Sequence, residues 1–181
     1  MGLYENITSN KRKSILLILI FFVIIGLLGY TFGIYIGDIF IGIGFAIIIS
    51  TIMTVVSFYS GDSMILKMSS AVEADRKQYA HLVNTVEGLS IAAGIPTPKI
   101  YIIDDSAINA FATGRDPQHA SVTVTTGAIK RLKRDELEGV LAHEMSHIRN
   151  YDVRMMMLVV ILVGVIALIS DMFLRSMFYG K

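Results

Sequence analysis

The 181-residue sequence contains no cysteine. That excludes disulfides, thiolate zinc sites and cysteine nucleophiles. Proline is scarce, at three residues, and all of it lies between Pro96 and Pro117. Excess charge is lacking too: 16 Lys and Arg stand against 15 Asp and Glu, a net charge of +1. Nothing in that balance points to nucleic acid. The sequence shows no internal repeat and no low-complexity linker. Its long apolar runs carry no ionisable residue at their middles. Proton relays and ion pathways need such a residue, which argues against a transporter or channel.

Apolar residues are abundant. They make up 54% of the chain, against about 45–50% in an ordinary soluble domain. The excess lies in three blocks, Ser14 to Ile36, Ile39 to Tyr59 and Met155 to Phe178. Each is near or above the roughly 20 residues that cross a hydrocarbon core. The first is too long for a cleaved signal peptide, and no small-residue cleavage site precedes the second. The reading is a multi-pass membrane protein with three transmembrane helices. Lys11-Arg12-Lys13 abuts the first block, where topology-setting charges act. The N-terminus is therefore expected in the cytoplasm, with Gly37-Asp38 as an outer turn and the segment from Gly61 to Arg154 cytoplasmic. Lys67, Arg149 and Arg154 agree with that orientation; Arg175 and Lys181 count weakly against it. Gly29, Gly33 and Gly37 form two overlapping G-x-x-x-G patterns, a spacing that lets helix backbones approach closely. The competing explanation is the general abundance of glycine in membrane helices. Ser50, Thr54 and Ser57 share one helical face and could bond to a neighbouring helix.

Between the second and third blocks lies a segment of mixed polarity. Ala71 to Ala93 reads as an amphipathic helix with Gly94 as its C-cap. Lys99 to Ile103 reads as a strand and Ile108 to Ala112 as a second. Arg115 to Ala120 reads as a loop. Ser121 to Thr125 alternates like a half-buried strand with Val122 and Val124 inward. Helical signals resume at Gly127. Asp135 and Glu138 resemble a capping box, and the helical pattern then runs through Asn150, with no evident break before the third block.

That last helix carries His143-Glu144-Met145-Ser146-His147. Residues four apart share a helical face, so two imidazoles can grip one ion. Glu144 is offset by about 100° and can reach water beside the metal. Zinc lowers the pKa of such a water to about 7, and the carboxylate can take its proton. With Leu137 at zero on the wheel, Leu137, Val140, Leu141, Ile148 and Tyr151 form the apolar face. Glu144 then falls mid-stripe, with His143 and His147 on the flank of that stripe. A carboxylate there needs a charge or metal partner, and the helix supplies no Arg or Lys on that face.

The segments "AAGIPTPKIYIIDD" at 92–105, "INAFATG" at 108–114 and "VTTGAIKRLKRDELEGVLAHEMSHIRNYDVR" at 124–154, with the three apolar blocks, carry a resemblance that extends over essentially the whole chain. The chain resembles the HtpX-like membrane zinc metallopeptidases, relatives of the CAAX prenyl proteases. The resemblance implies an α+β membrane protein with a zincin-like order of helix, short sheet and H-E-x-x-H helix. It implies His143 and His147 as ligands of Zn2+ and Glu144 as catalytic base. It also implies proteolysis of unfolded or damaged membrane proteins at the cytoplasmic face of the cell membrane. Asn109, Ala110, Phe111 and Ala112 are expected to form a strand edge that binds substrate in extended form; the alternative for Phe111 is a core residue. The expected organisation is an N-terminal tail and two-span hairpin over 1–60, a protease segment over 61–154 and a third span over 155–181.

A catalytic zinc usually has three protein ligands. Val153 stands where a metzincin carries its third histidine, and no Glu follows Glu144. The family draws its third ligand, a Glu, from a helix beyond a fourth span. The chain is thus expected to be the N-terminal portion of a longer protease. Asp152 lies about 140° from His147 on a regular helix and reads as a support or helix-end residue. His81 and His119 read as solvated histidines. The rival to an enzyme is a membrane-anchored, inactive homologue that binds unfolded segments through 109–114. A reading frame that continues into a fourth apolar run and a Glu-bearing helix would separate the two.

Overall fold

The computed structural model describes residues 3–179, without the side chains of residues 3–6, Ser57, Met177 and Tyr179. Lys181, used above for topology, and the Ser57 side chain therefore lie outside the described residues. In chain order the elements are α1 (Leu3–Ile36), α2 (Ile39–Met68), β1 (Val72–Glu73), α3 (Ala80–Ala93), β2 (Lys99–Ile103), β3 (Ala110–Gly114), β4 (Ala120–Thr125), α4 (Thr126–Arg131), α5 (Arg134–Arg149) and α6 (Asp152–Tyr179). They form an α+β protein whose residues fall into two compact units, one of Arg12–Tyr59 with the chain from Leu158 on, the other of Ser60–Met157 with the chain up to Lys11.

Among the described residues, three helical stretches are long and apolar enough to cross a membrane: Ile7–Ile36, Ile39–Val56 and Asp152–Ser176. Within the helical unit, Phe21, Ile25, Ala46, Leu162, Val165, Ile169 and Phe173 form the core. The Phe32 and Phe173 rings stack at 4.2 Å. Outward residues such as Leu16, Val23, Leu27 and Phe40 stay exposed. That pattern suits lipid, where an apolar exterior carries no penalty.

The glycine pattern divides by role. A Cβ on Gly42 would come within 2.4 Å of the Gly33 Cα, and one on Gly29 within 2.8 Å of the Ala46 Cβ. Those residues let α1 and α2 touch backbone to backbone. Gly37, the third of the pattern, packs against nothing within 4 Å; its φ of +85° makes the turn instead. Asp38 Oδ1 then accepts the Ile41 N–H at 3.1 Å and caps α2. Ser50 is fully buried, but its hydroxyl donates to the Ile47 carbonyl of its own helix at 3.0 Å. The expected bond to a neighbouring helix is not the one it makes.

The other unit holds a four-stranded sheet in the order β1-β2-β4-β3. β2 and β4 are parallel, in register Lys99 to Ser121 through Ile103 to Thr125. β1 and β3 flank them antiparallel. Leu82, Val83 and Val86 of α3, Leu137, Leu141, Met145 and Ile148 of α5, and the strand residues Ile100, Ile102, Val122 and Val124 share one core.

Several boundaries differ from the sequence reading. The helix expected from Ala71 starts at Ala80, because Val72 and Glu73 pair with Ile102 and Tyr101 instead. Pairing across the sheet overrides local periodicity there. The Gly94 cap holds, with φ +66°. β2 has the expected bounds; β3 lies two residues later than expected. β4 is buried at all six residues, not alternately; it is an inner strand, third in the order between β2 and β3, and is covered on both faces. The loop at 115–120 contains a 3-10 turn, Pro117–His119. α5 begins at Arg134, and its capping carboxylate is Glu136, which accepts the Lys133 N–H at 2.8 Å. The expected Asp135–Glu138 box is displaced because the helix starts earlier.

Candidate metal centre

Helix α5 buries Leu137, Leu141, Met145 and Ile148. Met145 turns the buried stripe away from the face read from the sequence, so Glu144 sits at its edge, half-buried. Its partner is neither Arg nor Lys. Glu144 Oε2 accepts the backbone N–H of Ala112 at 3.1 Å. A charge-assisted bond of this kind offsets part of the desolvation of the carboxylate.

His143 and His147 lie one turn apart, and their Nε2 atoms converge to 3.2 Å. A tetrahedral ion with bonds of roughly 2.0–2.1 Å sets two nitrogen ligands about 3.3 Å apart. The pair thus fits a shared zinc ion by spacing and by donor type.

The chain does not continue as one helix past α5. Tyr151 takes φ +62°, a costly conformation for a non-glycine residue, and α6 starts afresh at Asp152. The angular offset of a regular helix therefore does not apply. The break places Asp152 Oδ2 at 2.9 Å from His147 Nδ1. A carboxylate on the far nitrogen fixes the tautomer that leaves Nε2 unprotonated toward a metal.

Asn10, near the N-terminal end of α1, was not legible as a site residue. It is buried to 7% exposure. Its Nδ2 donates to Asp152 Oδ1 and to the Asn150 carbonyl at 3.0 Å. Beside it, the Lys11 ammonium stands 4.5 Å above the Tyr151 ring, a cation–π distance. A lone Asn before a basic run carries no local signal; only the tertiary contact reveals it.

β3 is the last strand in the sheet order. Asn109 precedes it and is tied to β4: it donates its N–H to Thr125 Oγ1 and accepts the Thr125 N–H, both at 3.0 Å. Ala110 and Ala112 pack against the core. Phe111 is half-buried, and by strand alternation it faces the opposite side. His119 Nδ1 lies 2.8 Å from Asp116 Oδ1, and His81 Nδ1 lies 3.4 Å from Thr85 Oγ1. Among the described residues, no group of three or more His, Asp or Glu side chains is arranged to hold a metal ion.

Comparison with known proteins gives the family. Residues 76–178 match the family described as Peptidase family M48. The chain is 48% identical to a protein named Protease HtpX homolog from Dictyoglomus turgidum, over 98% of this chain and 59% of that protein. It is 44% identical to one of the same name from Caldanaerobacter subterraneus subsp. tengcongensis, over 98% and 60%. It is 42% identical to one from Listeria monocytogenes, over 99% and 60%. The chain thus spans about 60% of the length of the curated relatives it matches. With the two imidazoles, the adjoining carboxylate and three apolar spans, it belongs to peptidase family M48 and is an HtpX-like member of it.

Proposed function

We propose that this chain is the N-terminal portion of a membrane-bound zinc metalloendopeptidase. His143 and His147 hold the metal, Glu144 is the general base, and the 109–112 edge receives substrate. The observation that carries this is the 3.2 Å convergence of the two imidazole Nε2 atoms beside Glu144. When bound, zinc would acidify water and polarise a substrate carbonyl.

The chain's own groups perform the remaining work. Asp152 orients the His147 ring through Nδ1. Glu144 takes a proton from the attacking water and passes it to the leaving nitrogen. Its bond to Ala112 keeps the carboxylate at the strand edge, where an extended peptide would add beside β3. Phe111 offers an apolar surface on the other face of that strand.

The substrates are polypeptides, chiefly unfolded or damaged membrane proteins, cleaved at the cytoplasmic face of the cell membrane. Two residues, Asn150 and Tyr151, separate α5 from α6. Tethering the catalytic helix to a span in this way raises the local concentration of chains at the membrane surface. The division into a two-span hairpin over 1–60, a zincin-like segment over 61–154 and a third span over 155–181 follows the same reading.

A third protein ligand belongs to the complete site. Asp152 is engaged elsewhere, by His147 on one oxygen and Asn10 on the other. The 181 residues alone therefore hold zinc weakly and do not turn over substrate. Purification in detergent, with measurement of bound zinc and casein cleavage, tests this. A longer version carrying the expected downstream Glu should gain tight zinc and cleavage. Stoichiometric zinc with turnover in the 181-residue chain would mean that a residue within it completes the site.

A further inference from the structure

We propose that Asn10 is a positioning residue for the metal site and acts on His147 through Asp152. This rests on the reading of His147 as a ligand.

The chemistry of the contacts selects an amide. Asp152 Oδ1 and the Asn150 carbonyl are both acceptors. The atom between them must supply two hydrogens, and an Asn NH2 group has two. Asp could supply neither, and a serine hydroxyl only one. One bond fixes the carboxylate; the other fixes the backbone immediately before the left-handed Tyr151. The carboxylate's second oxygen meets His147 Nδ1 at 2.9 Å. The amide therefore holds both the orientation of Asp152 and the turn that delivers it.

The consequence reaches the ligand atom. Asp152, so held, takes the proton-bearing Nδ1 of His147. That leaves the His147 Nε2 lone pair facing His143 Nε2. Without Asn10, Asp152 would be free to rotate about its side-chain bonds, and His147 would divide between two tautomers. The N-terminal segment, 140 residues away in sequence, thereby becomes part of the support of the metal site. Lys11 over the Tyr151 ring adds a second contact between the same two segments.

The test uses the full chain in detergent. Zinc affinity is measured by competition with a chromophoric chelator for the parent, Asn10→Ala, Asn10→Asp, Asp152→Asn, the Asn10→Ala/Asp152→Asn double variant and His147→Ala. Imidazole 15N shifts of the metal-free protein report the His147 tautomer. Loss of an outer partner of a metal-bound histidine costs about 10- to 100-fold in affinity. Asn10→Ala should weaken zinc about tenfold, at the low end of that range, and populate the second tautomer. Asn10→Asp, of the same size, should be worse because it sets like charges together. The double variant should bind no more weakly than Asp152→Asn alone, as expected for residues acting in series.

Asn10→Ala with parental zinc affinity, while His147→Ala loses zinc, overturns the positioning role alone. So does weakened zinc with an unchanged His147 tautomer, or a double variant whose losses multiply. Parental affinity in His147→Ala overturns the ligand assignment and this inference with it. Should Asn10→Ala lose its helical circular dichroism, the isosteric Asn10→Asp decides by the same two readouts.

Discussion

The backbone N–H of Ala112 donates to the carboxylate of Glu144 at 3.1 Å, across 32 residues of sequence. The bond joins the last strand of the sheet to the helix carrying both histidines. It places the carboxylate where a strand edge and a pair of imidazoles meet, and it uses a main-chain donor that β4 does not engage.

Glu144→Gln in a version extended to the length of the relatives should remove hydrolysis and keep zinc. The amide oxygen can still accept from Ala112, but the group cannot take a proton from water. A general base contributes roughly 100- to 10,000-fold, so cleavage of an unfolded substrate should fall by at least about 100-fold. Loss of zinc along with activity would make Glu144 structural.

Ala112→Pro deletes the donor to Glu144. Proline is tolerated on edge strands when the lost N–H is not in the ladder, so the sheet should survive. A hydrogen bond to a charged group contributes about 1.5–3 kcal/mol. Cleavage by the extended version should fall about tenfold or more, with the helical circular dichroism kept. Parental turnover would show that the carboxylate does not depend on this bond.

Gly42→Leu should wedge α1 from α2, because even a Cβ at that position would stand 2.4 Å from the Gly33 Cα. The absence of native cysteine makes the measurement clean. Cysteines introduced at Leu28 and Ala46 can be tested with thiol cross-linkers of graded length. Short linkers should join them in the parent and fail in the Gly42→Leu variant. Equal cross-linking in both would refute the close backbone packing.

A reporter fused after Arg115 should behave as cytoplasmic, on the strength of Lys11-Arg12-Lys13 beside the first span. Alkaline phosphatase activity at that fusion point would reverse the orientation and displace substrate capture to the other face.

Three helices long and apolar enough to cross a membrane were legible from the sequence alone, since about twenty apolar residues in a row are the length that spans a hydrocarbon core. The sequence by itself also determined the helix that sets His143 and His147 on one face, because a four-residue spacing is a property of the helix itself. β2 and the Gly94 cap were legible for the same reason: their signals are local. Tertiary structure decided the rest. Val72 and Glu73 left a helical pattern to pair with β2. Met145 turned the buried stripe, so that Glu144 met a strand edge rather than a cation. Asp152 was displaced from its helical angle by the left-handed Tyr151, and the Asn10 contacts that hold it span 140 and 142 residues. No periodicity records a contact at that separation. It forms only when packing brings distant segments together and leaves a buried amide and a carboxylate that must satisfy one another.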